Sequence, residues 1–174
     1  LILTGQRREE VAGLTWEEIT GNLWTIPANR AKNGVAHVVP LSAQVQAILL
    51  AAPRLRHDDN GREFVFPGQR GMFNGFSKAK TALDEASGVK NWRLHDLRRT
   101  MATGLQKLGV RLEVTESCLN HISGSRAGIV GIYQKHEYLV EKCAALAAWG
   151  EHVAAIVEGR APADNVTPIR ARSV

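Results

Sequence analysis

Cysteine is scarce in this chain of 174 residues: only Cys118 and Cys143 occur, and neither stands in a CxxC or Cys/His spacing. That excludes a disulfide scaffold and a zinc-ribbon site, and it leaves two reduced core thiols in a reducing, cytoplasmic setting. No run approaches the ~18 to 20 apolar residues of a membrane helix. The opening Leu1-Ile2-Leu3-Thr4-Gly5 has no basic region ahead of it, so neither membrane insertion nor secretion is expected. One-signed charge is also lacking: 22 Lys and Arg face 17 Asp and Glu, a net +5 that hints only mildly at a polyanionic partner. Internal repeats and low-complexity tracts are absent. What is there is 44% hydrophobic, enough for a soluble domain on its own core, and a chain of this length buries roughly 70% of its unfolded surface. Its excess positive charge is local, with ten Lys and Arg against six Asp and Glu between Arg54 and Arg99.

Periodicity lays out the elements. Leu1-Ile2-Leu3 reads as the end of a buried helix that begins upstream, and residues 7–13 form a helix with Val11 and Leu14 on one side. Thr15-Trp16-Glu17-Glu18 has capping-box spacing for a further short turn. Residues 23–27 and 35–41 are β-rich, and Asn33-Gly34 before the second suits a two-residue hairpin turn that holds Lys32 out rigidly. A third short strand is expected at residues 64–66, ending at Pro67-Gly68. Ser42 caps a helix with Val45, Ile48, Leu49 and Ala52 inward, stopped by Pro53. Three further stripes follow: Phe76, Ala79, Leu83 and Ala86 up to Gly88; Leu94 to Leu108 broken at Gly109; then Val110, Val114 and Cys118. A long helix carries Leu139, Cys143, Leu146, Gly150, Val153 and Val157. The expected architecture is α+β and mainly helical, with a small three-stranded antiparallel sheet at one edge. Residues 1–158 form the domain and residues 159–174 a tail that is disordered or docks on a neighbouring copy.

The chemistry begins at His95-Asp96-Leu97-Arg98, where a histidine and an arginine three apart project from one side of a helix and can reach one ligand. A guanidinium fork matches phosphate oxygens, and an imidazole beside it donates a hydrogen bond or accepts a proton near neutral pH. Alone, such a pair is an ordinary surface feature. Here it is preceded by Gly5-Gln6-Arg7-Arg8-Glu9-Glu10 and Lys32, and followed by Leu119-Asn120-His121 and Tyr133. That ordered set resembles the catalytic domain of tyrosine recombinases, the phage integrase family. The family order is glycine-x-arginine-x-x-glutamate, a hairpin lysine, histidine-x-x-arginine, leucine-glycine-histidine and a tyrosine. The resemblance covers residues 1–158.

Carried over position by position, the resemblance makes Arg7 the first catalytic arginine, with Glu10 as its buried partner, and Lys32 the hairpin lysine. His95 and Arg98 match the central motif, His121 the second histidine, and Tyr133 the nucleophile. Arg8, Arg30 and Arg99 flank these as DNA-contacting bases, while Tyr138 packs the start of the last helix. Two departures stand out: asparagine replaces glycine at position 120, and the step from His121 to Tyr133 is slightly long and contains Gly124, Gly128 and Gly131. The family's helical core-binding domain lies outside this chain, so weak DNA binding is expected of it.

These groups suit attack on a phosphodiester. Arginine forks oppose the charge that accumulates on the non-bridging oxygens, each donor being worth ~3 to 4 kcal/mol of barrier. A tyrosine with a pKa near 10 is only about one-thousandth ionised at neutral pH, a handicap of roughly 4 kcal/mol that cationic surroundings offset. Lys32 is the expected general acid for the 5′-oxygen, and the division of labour between His95 and His121 stays open. The resemblance implies a metal- and ATP-independent enzyme without cofactors, acting on double-stranded attachment sites as a tetramer with accessory DNA-bending proteins. A type IB topoisomerase and a silent helix-turn-helix DNA-binding remnant are the alternatives.

Overall fold

The computed structural model describes residues 1–54, 61–69, 71–121 and 138–160. Helix α1 (Arg8–Ala12) opens with the Arg7 backbone N–H donating to Glu10 Oε2 at 2.9 Å, the carboxylate half of a capping box. Three short antiparallel strands follow in the order β1 (Ile19–Thr20), β2 (Leu23–Ile26) and β3 (His37–Pro40), with Trp24 opposite Val39 and Ile26 opposite His37. Alternation puts Trp24, Ile26, His37 and Val39 inward. The third strand of the sheet is therefore Ile19–Thr20. Phe64, where a strand was expected, makes a single bridge to Thr15. A separate hairpin pairs β4 (Pro67–Gly68) with β5 (Gly71–Met72).

Two local expectations are corrected. Trp16–Glu18 is a 3₁₀ turn without a Thr15 side-chain cap, because the Glu18 carboxylate goes instead to Trp24 Nε1 at 3.0 Å and to Arg30 Nη2 at 2.6 Å. The β2–β3 connection is not a two-residue turn. Residues 27–36 form a longer loop in which Ala31 N donates to Pro27 O and Gly34 N to Ala31 O, with Gly34 alone at positive φ (71°).

Helix α2 (Ala43–Ala51) starts after Ser42, whose hydroxyl makes no capping bond. Leu49 is its one buried residue, whereas Ile48 is half exposed, so the inward stripe is narrower than its sequence suggests. Helix α3 (Phe76–Ser87) ends at left-handed Gly88 and buries no residue fully. Helix α4 (Leu94–Lys107), closed by Arg93 N to Asp96 Oδ2 at 2.8 Å, turns at Gly109 into α5 (Leu112–Cys118). Helix α6 (Leu139–Val157) packs on α2, α4, α5 and β3. The core joins Leu14, Trp24, Val39, Met101, Leu105, Cys118, Leu146 and Trp149. Cys118 lies within it as a free thiol, and Cys143 is a half-buried one. Among the described residues no helix is long and apolar enough to cross a membrane. The tail beyond residue 160 lies outside the described residues.

Candidate active site

Helix α5 ends in carbonyls that have no partner within the helix, and three side chains from distant segments take them up. Gln6 Nε2 donates to Cys118 O at 2.9 Å, His37 Nε2 to the same oxygen at 3.1 Å, and Arg98 Nη2 to Leu119 O. Arg98 Nη1 also donates to Gly5 O at 2.5 Å. The buried guanidinium therefore joins α4, the Gly5 turn and the negative end of α5. The turn needs glycine twice over: φ is +63° at Gly5, and a Cβ there would collide with Met101 Sδ.

Arg7 follows directly, its Nη1 3.1 Å from Oε1 of Glu10, which is 3% exposed. The same Oε1 faces the backbone N–H of Lys32 at 3.5 Å, so one buried carboxylate fixes both the first arginine and the lysine loop. Arg7, Lys32, His95 and Arg98, with Arg8 and Arg93, line a cleft of about 390 Å³ in which Glu9 is the only acidic residue among the described residues. Burial and the nearby Arg7 charge lower the Arg98 pKa to about 10, partly countered by Glu10 and Glu116. Arg98 stays cationic at neutral pH, and the two like charges favour an anion between them. A phosphodiester is such an anion.

Of the other residues singled out in the sequence, His121 stands past the end of α5 with Nδ1 3.2 Å from Glu116 Oε2, and it does not line the cleft. Arg8 is exposed, paired with Glu9 and stacked 4.9 Å over the Phe76 ring. Arg30 is held by Glu18 and lines a larger open groove of about 790 Å³ that contains none of Arg7, Lys32, His95 and Arg98. Arg99 is exposed and pairs with Asp96 at 3.2 Å. Tyr133 lies outside the described residues, whereas Tyr138, at φ 49°, packs against the core at the start of α6. Among the described residues no group of three or more His, Cys, Asp or Glu is placed to hold a metal.

Two contributors were not singled out in the sequence. Gln6 is 2% exposed and ties the arginine turn to α5. His37 is buried two positions from Val39 on the inner face of β3, a period-2 signal that marks it as inward. Burial, then the Lys142, Arg98 and Arg7 charges, push its pKa down to about 3, with the Cys118 carbonyl opposing. His37 is therefore neutral and donates through Nε2.

The model of the phage integrase family matches residues 1–138. The prophage integrase IntA of Escherichia coli (strain K12) is 30% identical over 173 residues, 97% of this chain and 41% of that protein. The solved integrase from mycobacterium phage Brujita shares the fold at a TM-score of 0.62 and 20% identity, covering 99% of this chain and 51% of that one. This chain thus spans about two-fifths to one-half of these relatives. It belongs to the phage integrase family, the tyrosine recombinases.

Proposed function

We propose that the chain cleaves and rejoins DNA strands at attachment sites through a 3′-phosphotyrosyl intermediate. The observation that carries this reading is the cationic cleft gathering Arg7, Lys32, His95 and Arg98 from three separate segments, the start of α1, the loop of residues 27–36 and the start of α4. In it the two arginines hold the non-bridging oxygens of the scissile phosphate. The Tyr133 oxygen forms a bond to phosphorus as the bond to the 5′-oxygen breaks, and Lys32 Nζ gives that oxygen its proton. His95 bonds a phosphate oxygen or takes the proton of the nucleophile. The phosphotyrosyl ester retains the energy of the broken link, so an incoming 5′-hydroxyl reverses the step without ATP. The working assembly on DNA is a tetramer of the full-length protein.

The test is a nicked suicide duplex carrying the attachment sequence, incubated with the full-length protein and run on a denaturing gel. A covalent band in the unsubstituted protein, lost in Tyr133→Phe, is expected. The band in both would move the nucleophile to Tyr138 or elsewhere. Its absence from both, with DNA binding intact, would favour a silent DNA-binding remnant.

A further inference from the structure

The departure from the family pattern at position 120 has a structural consequence. Asn120 N donates to Ser117 O at 3.3 Å and His121 N to Glu116 O at 3.0 Å, the paired bonds of a Schellman helix end. Asn120 occupies its left-handed position, with φ 50°. Glycine is the usual residue there because it lacks a Cβ, and asparagine is one of the few others that tolerate it. Asparagine brings a side chain that glycine does not have. Its amide reaches the loop of residues 27–36: Asn120 Nδ2 donates to Asn33 Oδ1 at 3.2 Å and to Val35 O at 3.4 Å, and Asn33 Nδ2 donates back to Asn120 O at 3.1 Å. Asn33 Oδ1 also accepts from Val35 N at 3.1 Å, so the pair sits inside the fold of the loop tip. Asn120 is 8% exposed, which shields these bonds from water, whereas Lys32 is exposed.

We infer that the Asn33–Asn120 amide pair is a positioning clamp that holds the Lys32 loop at the catalytic cleft. The inference rests on the proposed role of Lys32 as general acid. The backbone of Lys32 stands between two anchors, the Glu10 carboxylate at its own N–H and the Asn120 amide at the next residue. Arg30 is held by Glu18, but without the amide pair the loop tip beyond it would be tied at Lys32 only by the 3.5 Å contact to Glu10 and would sample many positions of the ammonium group, and proton transfer needs one of them.

The test uses the full-length protein and two nicked duplexes, one ordinary and one with sulfur in place of the bridging 5′-oxygen. A thiolate leaves without a proton, so the second duplex bypasses the general acid. Asn120→Gly keeps the left-handed position and removes only the amide, so its thermal midpoint should equal or exceed that of the unsubstituted protein. Its single-turnover rate of adduct formation should fall about ten- to a hundred-fold on the ordinary duplex and return to within about three-fold on the sulfur duplex. Asn33→Ala should behave alike, and the double variant should be no slower than either single one. Equal rates on the ordinary duplex, or a loss that sulfur does not restore, would overturn the clamp. No adduct from the unsubstituted protein on either duplex would instead remove the recombinase reading beneath it, and the clamp with it.

Discussion

At the scale of single residues, the site works because the same groups that would bind phosphate also hold the fold together. Arg98 donates to Gly5 O and Leu119 O, and its remaining N–H groups are available to a substrate. Lysine cannot replace it. A single ammonium cannot span both carbonyls and still offer a fork to phosphate. Arg98→Lys should lower stability by ~1 to 3 kcal/mol in denaturant unfolding, through a buried acceptor left unpaired. It should also reduce adduct formation about a hundred-fold or more. His37 gives the pH counterpart. Its folded pKa of about 3 lies below the ordinary value of 6.5, so the unfolded chain takes up a proton that the folded chain refuses. The stability it contributes is complete above pH ~6.5 and lost as pH falls toward ~3, at up to ~1.4 kcal/mol per pH unit. Denaturant unfolding at about pH 7.5 and pH 5 should show a loss of ~2 kcal/mol from this group, and His37→Gln should lack that part of the slope.

At the scale of elements, Arg7, His95 and Arg98 owe their places to helix ends. Glu10 and Asp96 each close the first turn of their helices through the backbone N–H three residues before, which fixes Arg7 and His95 at the starts of α1 and α4. Helix α4 is then seated against α6 by the absence of a side chain: a Cβ on Gly104 would stand 2.1 Å from Trp149 Cζ3, and the Nε1 of that indole donates to Ile2 O at 2.9 Å. Gly104→Ala gains helix propensity but overpacks this contact. The second effect is the larger, and a net loss of ~1 to 3 kcal/mol with a lower thermal midpoint is expected. Adduct formation should fall with it, since Arg98 moves with α4.

At the scale of the whole molecule, charge and connectivity decide the reading. Among the described residues, the larger groove beside Arg30 sets Glu17 and Glu18 against Arg30 and Arg62, while the smaller cleft sets five Arg and Lys residues against Glu9. Size does not select the site; unbalanced charge does.

The sequence by itself determined the helical stripes of α4, α5 and α6, the Gly109 break between the first two, and the family, because apolar periodicity and ordered motifs are local properties of the chain. The resemblance carried by those motifs also paired Glu10 with Arg7, and the two stand 3.1 Å apart. The sequence misplaced the third strand and shortened the lysine loop, since turn chemistry at Asn33-Gly34 says nothing of what the asparagine amide bonds elsewhere. Only the tertiary structure decided that Gln6, His37 and Arg98 meet at the end of α5, and that Asn120 faces Asn33. Those contacts join residues 81 to 112 positions apart for Gln6, His37 and the asparagine pair, and no local pattern encodes a hydrogen bond across such a distance.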